Sequence, residues 1–435
     1  MKEEIAALTR QALRDDVPFL ELRGRDGLAR AGGDIDLLVP YGCSQQACLL
    51  VTEEARKAGW LVMGFRSIGY LAQILLVKPG CEDTAVKVDF FSGFAWYGVG
   101  PDAISQRFFG LVRTAERKAA ELERLAAAAN FIQKCLIVGR LSERDWLRVQ
   151  AGGASPQSLL EICRALNLPI SREDIEGKGV SGFRKWRLRA ASAGICSPLQ
   201  IVPWFFRVSI AHLIFKLGIG TGAGLSIGLS GLDGSGKSTQ MERLFACFKK
   251  AGGNQPRLVH LLPEWIPMPH KLVRRRKTEQ NYLTPYAEPP VKSRLNGALR
   301  LSYYLLAFGI AKVWMRLATL RGQVTVLDRS FVDFSTDLTR SRIPPFRLPG
   351  WLIRFCTPKG IILYLDASPE TVVVRKGELG IEKAAVLRDR YLRVIEDIKG
   401  RVIDAEGLPE EVFRRVLDEL DAVYHTRLKA TASKW

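Results

Sequence analysis

Four histidines and eight cysteines are all that this 435-residue chain offers to a soft metal, and they do not gather. Cys43, Cys48, Cys81, Cys135, Cys163, Cys196, Cys247 and Cys356 contain no C-x-x-C pair, and no histidine stands at ligand spacing beside them. That argues against a zinc ribbon or finger and leaves reduced, buried thiols as the expectation. Internal repeats and low-complexity tracts are also missing, which argues against solenoids and disordered linkers. The opening MKEEIAALTRQALRDD lacks the apolar core of a secretory signal, so a cytoplasmic protein is expected. Long apolar runs are interrupted: Arg207 and His212 break residues 201–215, and Lys312 and Arg316 break residues 301–320. Acidic residues are the scarcer charge, 45 against 64 Lys and Arg, and the net charge of +19 favours nucleotides, nucleic acid, acidic glycans or a phospholipid surface.

What is present is a chain long enough for two or three domains, with 47% hydrophobic residues to build their cores. Residues 1–100 alternate helical and strand patterns, an α/β order. Residues 101–170 read as helical, with apolar residues at helical spacing in RTAERKAAELERLAAAANFIQKCLIV and a Ser-capped start at GRLSERDWLRVQ. Residues 171–222 form a basic connector in which Arg184, Lys185, Arg187 and Arg189 interleave with Phe183 and Trp186. It reads as a solvated interdomain helix or as a docking element for nucleic acid or lipid, which makes peripheral membrane contact one candidate. Strand-turn-helix units resume over residues 223–435.

The most specific stretch is GLSGLDGSGKSTQMERL, residues 228–244, which fits G-x-x-x-x-G-K-[ST] at every fixed position between a strand and a helix. Gly231, Gly234 and Gly236 let the backbone fold back so that successive N–H groups, around Ser235 and Thr239, face an anion. Lys237 can then reach the β- and γ-phosphates, and the Ser238 hydroxyl can ligate Mg²⁺. A second strand, QVTVLDRSF, ends in Asp328 and Arg329, and a third, GIILYLDASPE, ends in Asp366. Strand ends gather at the ligand crevice of an open parallel sheet. Asp328 is therefore a candidate for orienting Mg²⁺ through water, and Arg329 for gripping a phosphoryl group.

With GLDGSGKSTQ, LDR at 327–329, YLDASPE at 364–370 and VIDAEGLPEEV at 402–412, residues 225–420 resemble the thymidylate kinase family of P-loop nucleoside-monophosphate kinases. The resemblance implies ATP and Mg²⁺ as cofactors. It implies that Asp233 contacts the acceptor or the moving phosphate, and Arg329 the acceptor's phosphate. It places Arg375, Arg388 and Arg390 in or beside a lid and Ala405 near the adenine. It also implies a candidate homodimer interface on the helix at 301–320. The departures bear on the acceptor. Arg-Glu-Pro-Gly is replaced by LVHLLP and EWIPMPHKLVRRRK, Ser330 follows the Asp-Arg pair in place of an aromatic, and VDFSTDLTRSR replaces the run that reads thymine. An acidic or phosphorylated small molecule or glycan is expected instead, with a sugar of surface-polysaccharide synthesis suggested by relatives fused to sugar-handling domains. The basic residues His270, Lys271, Arg274, Arg275, Arg276 and Lys277 and the loop LTPYAEPPVKS are its candidate binders or a solvated rim. A dTMP kinase and a nucleotide-dependent switch or nucleic-acid-binding protein are the alternatives. Against the last, the basic residues carry no nucleic-acid motif.

In GGDIDLLV, Asp34 and Asp36 lie two apart, so the strand period puts both carboxylates on one face; Asp89 in VKVDFF is a third. Together they are candidates for holding two Mg²⁺ ions. Residues 19–91 resemble the nucleotidyltransferase fold, with Gly27 and Gly33 matching its glycine-rich approach. Its Gly-Ser pair is absent; LRGRDG stands there, with Arg23, Gly24 and Arg25 in its place. The expectations are an α/β N-terminal domain that is either catalytic or a sensor, a helical middle domain and a C-terminal P-loop kinase sheet.

Overall fold

The computed structural model describes residues 1–22, 34–68, 70–80, 85–94, 102–115, 118–195, 197–217, 224–250, 256–267, 294–338, 343, 348–376 and 380–432. Arg23, Gly24, Arg25, Gly27, Gly33, Cys81, Cys196 and the segments 270–277 and 283–293 lie outside them. The chain divides into two units, residues 1–222 with 421–435, and residues 223–420.

The first unit carries a mixed five-stranded sheet. Its strands are β1 (Leu20–Glu21), β2 (Ile35–Val39), β3 (Leu61–Ile68), β4 (Leu71–Val77) and β5 (Val86–Ser92), in the order β1-β2-β5-β4-β3. Only β2 and β5 run parallel, and their register sets Asp36 opposite Asp89. Period-two alternation is weak here because β2, β4 and β5 bury most positions on both faces, as IDLLV and VKVDFF suggest. β3 is an edge strand with a register shift between Val62 and Gly64, and its Val62 N–H donates to the buried Asp421 carboxylate at 2.7 Å, which also pairs with Arg56 at 2.8 Å.

Residues 105–192 of this unit are helical around a core that includes Phe108, Phe131, Trp146 and Leu159. Ser142, Ser155 and Ser171 N-cap successive helices. The basic connector has a definite structural use. Arg189, buried, donates to the carbonyls of Leu136 and Ile137, and Lys185 donates to that of Val138. Two cations thus satisfy the C-terminal carbonyls of the helix Ala119–Ile137 and complement its dipole.

The second unit is an all-parallel sheet of β6 (Leu225–Gly231), β7 (Arg257–His260), β8 (Val324–Asp328), β9 (Ile361–Asp366) and β10 (Arg401–Asp404). The order is β10-β9-β6-β8-β7, so β6 is central and fully buried, and the glycine-rich turn leaves the middle of the sheet. The expected α/β class with a P-loop parallel sheet is what the chain forms. Among the described residues no helix is long and apolar enough to cross a membrane.

Candidate functional site

The turn after β6 is shaped by three glycines with positive φ: Gly231 at 155°, Gly234 at 98° and Gly236 at 88°. Two of them are also sterically required. A Cβ on Gly231 would lie 2.8 Å from the Leu365 carbonyl oxygen, and one on Gly234 would lie 2.9 Å from that of Val372. The helix Lys237–Lys250 starts at once, so its free N–H groups face the turn. Ser238 and Thr239 are exposed at its first positions. Ser235 is 2% exposed, and its hydroxyl has no hydrogen-bond partner among the described residues. A buried hydroxyl with a free donor inside a ring of glycines fits an oxygen-rich group.

Lys237 lies under this loop. Its ammonium donates to the carbonyls of Gly231 at 2.6 Å and Leu232 at 2.7 Å and stands 3.6 Å from Asp233. Burial brings its pKa down to about 8, opposed by Asp233 and reinforced by Arg329. Asp233 in turn accepts from the Arg329 guanidinium at 2.5 Å. The loop and the end of β8 therefore meet through one carboxylate. Arg329 adopts φ 72°, a left-handed conformation unusual for a side chain of this size and a local strain where strand gives way to helix.

Asp328 ends β8 and is held by a residue that sequence reasoning passed over. His260, its register partner on β7, places Nδ1 2.6 Å from the Asp328 carboxylate. Burial works to raise the Asp328 carboxyl, but the His260 hydrogen bond and the charges of His260, Arg329 and Lys237 outweigh it and hold it below the usual carboxylate range. Asp333 was also missed. It is 4% exposed and accepts from Ser230 Oγ at 2.7 Å, Ser330 N at 2.8 Å and Tyr391 Oη at 3.1 Å, with Gly231 N at 3.5 Å. Ser330 also caps the helix Phe331–Thr336, which accounts for a small hydroxyl residue after the Asp-Arg pair.

The arginines expected in or beside a lid fall on two sites. Arg388, on the helix Ile381–Ile398, forks onto Asp366 at 2.7 and 2.8 Å, and that two-pronged hydrogen bond raises its pKa. Arg375 reaches the carbonyl of the buried Ala405 at 3.4 Å, so these two predicted residues do come together. Arg390 shares the Ile381–Ile398 helix with Arg388.

In the first unit, one carboxylate oxygen from each of Asp34, Asp36 and Asp89 lies within 4.8 Å of the others. Lys87, one strand period before Asp89, joins them, with its ammonium 2.7 Å from Asp34 and 3.4 Å from Asp89. Burial pushes the Asp89 carboxyl up to about 6, against the pull of Lys87 and with Asp36 and Asp34 adding to the rise. Burial alone would lower the Lys87 ammonium, but Asp89 and Asp34 hold it above its ordinary value. The cluster borders a cavity of about 1820 Å³ whose lining mixes charges: Arg14 and Arg144 stand beside Arg10, paired with Glu21, and Arg148, paired with Asp145.

No protein-family model matches this chain, and no curated protein matches it. Among solved structures it is similar to thymidylate kinase from Ehrlichia chaffeensis, at 17% identity and TM-score 0.29, over 45% of this chain and 97% of that one. It is also similar to thymidylate kinase from Candida albicans, at 18% identity and TM-score 0.32, over 47% of this chain and 92% of that one.

Proposed function

We propose that the second unit is an ATP-dependent phosphotransferase that moves the ATP γ-phosphate to an acidic or phosphorylated acceptor. The observation that carries this reading is the glycine-walled turn with the partnerless Ser235 hydroxyl and the buried Lys237 ammonium below it. On binding, Lys237 would exchange two neutral carbonyl oxygens for anionic phosphate oxygens, so that donor and acceptor both carry charge and the bond is stronger. Ser238 and Asp328 supply hard oxygen donors that fit Mg²⁺, which when bound neutralises phosphate charge. His260 keeps Asp328 ionised and fixed. Arg329, steered by Asp233, grips the acceptor's anionic group, and Arg375 with Ala405 borders the nucleoside.

A sugar of surface-polysaccharide synthesis is the proposed acceptor class, supported by the sequence's departures from the thymine-reading segments. The test is mass-spectrometric detection of product after incubation with ATP, Mg²⁺ and a panel of dTMP, sugar phosphates and glycolipids. Phosphorylated sugar or glycolipid is the expected result. Clean dTMP turnover overturns the sugar acceptor, and ATP binding without any transfer favours a nucleotide-dependent switch.

For the first unit, the gathered carboxylates at the edge of a large cavity favour a second reading as a nucleotidyltransferase-like, metal-assisted nucleotide site. The donors suit a hard cation, and the Lys87 ammonium already takes up part of the charge that they would offer one. Lys87→Met is therefore expected to tighten Mn²⁺ binding by about tenfold through loss of a competing cation. Electron paramagnetic resonance titration of the full chain reads this, with Asp89→Asn abolishing the gain. Equal Mn²⁺ affinity in wild type and Lys87→Met would show that the ammonium does not compete.

A further inference from the structure

The helix Pro198–Lys216 presents its apolar side to solvent. Trp204 and Val208 are buried and Ala211 is half-buried, a spacing that turns one narrow stripe inward against Trp186 and Ala190. On the opposite side, Leu199, Val202, Phe206, Ile210, Leu213 and Leu217 recur every three or four residues, each between 46% and 87% exposed. One exposed leucine is ordinary, but six in a row along about 28 Å of helix form a contiguous patch of the kind that marks an interface.

Charge indicates what covers it. Residues 177–232 contain no Asp or Glu but carry Lys178, Arg184, Lys185, Arg187, Arg189, Arg207 and Lys216. Several of these are engaged inside the protein: Lys178 with Glu143, Arg184 with Asp174, and Lys185 and Arg189 on helix carbonyls. Arg187 and Arg207 are exposed and make no ion pair among the described residues. Arg207 lies on the flank of the apolar stripe, where its stem can follow the hydrocarbon while its guanidinium reaches phosphate. The helix is not apolar enough to span a bilayer. An apolar stripe flanked in sequence by positive charge and by no acidic residue matches an element lying in the plane of an anionic membrane surface.

We propose that this stripe docks on a bilayer containing anionic phospholipid, with its apolar side chains among the acyl chains and Arg187 and Arg207 at the headgroup phosphates. This docking is independent of the phosphotransfer reading. It is tested by co-sedimentation of the full chain with vesicles of phosphatidylcholine and phosphatidylglycerol in equal parts, against vesicles of phosphatidylcholine alone. The wild type is expected to bind the anionic vesicles and to release them as salt rises. Phe206→Ser with Ile210→Ser and Leu213→Ser should weaken binding about a hundredfold or more, and Phe206→Ser alone about tenfold. Arg187→Gln with Arg207→Gln should cost about tenfold on anionic vesicles only. All five positions are exposed, so an unchanged melting temperature is expected. Three results overturn the proposal: no association of the wild type with anionic vesicles, equal binding by the serine variants, or a wild-type dimer that the serine variants render monomeric without any vesicle binding.

Discussion

Lys237→Met is expected to abolish phosphoryl transfer, lowering turnover by a factor on the order of a thousand or more, while leaving the fold intact. The two consequences separate because the same burial serves one and opposes the other. The ammonium sits 5% exposed with its pKa at about 8. An unfolded lysine titrates near 10.4, so holding the charge in the folded state costs about 3 kcal/mol below pH 8. The two carbonyl hydrogen bonds return about 1 kcal/mol each, so the variant should melt at or slightly above the wild-type temperature at pH 7. Between pH 8 and about 10 the unfolded chain holds a proton that the folded chain has lost, so wild-type stability should rise across that window and the variant's should not. Phosphate oxygens beside the ammonium must raise its pKa, so ATP binding above pH 8 takes up a proton and weakens as pH rises, by up to about tenfold per unit. Calorimetry in two buffers of different ionisation enthalpy reads that proton directly. A variant that keeps wild-type turnover would remove Lys237 from the chemistry.

Sequence contiguity explains what could be read in advance. The glycine-rich turn lies within eight residues, 231–238, and each glycine there is required by a local angle or a close carbonyl, so one short segment carries its own evidence. Asp34 and Asp36 share a face by the strand period alone. Placing Asp36 opposite Asp89 needed the β2–β5 register, but the matching apolar flanks pointed to it. Lys87 was within reach of the same period-two argument, since it lies two residues before Asp89. The basic connector carried a mixed signal: a run of Arg and Lys reads as solvated or docking, and two of its members also finish a helix that ends about fifty residues earlier. His260 could not be found without strand order, because its tie to Asp328 depends on β7 lying beside β8. Tertiary partners of this kind leave no periodicity to detect.

Asp333→Ala should be strongly destabilising to the second unit. Asp333 is illegible in sequence because its donors come from three elements: Ser230 and Gly231 on β6, Ser330 at the cap of its own helix, and Tyr391 on the helix Ile381–Ile398. Tyr391 is itself buried and stacks on Tyr364 at 5.2 Å, so its hydroxyl has no route to water. Burial and the Asp333 charge both hold that phenol well above its ordinary pKa, which keeps it a donor throughout the working pH range. Removing the carboxylate strands at least three buried donors and takes a counter-charge from the neighbourhood of Arg329. The expected loss is about 3 to 5 kcal/mol, or roughly 10 °C in the melting temperature of a unit this size. Tyr391→Phe removes one donor and one bond together and should cost only about 1 kcal/mol. Asp333→Asn keeps the volume but turns an amide donor toward existing donors, so it should fall between the two. Because Ser230 and Gly231 are the base of the glycine-rich turn, the Asn variant should also bind ATP more weakly at temperatures where it is fully folded. Calorimetric melting of the three variants, followed by ATP titration of the Asn protein at 25 °C, measures both effects. An Ala variant that melts with the wild type would mean that water satisfies these donors and that the carboxylate does not hold the turn in place.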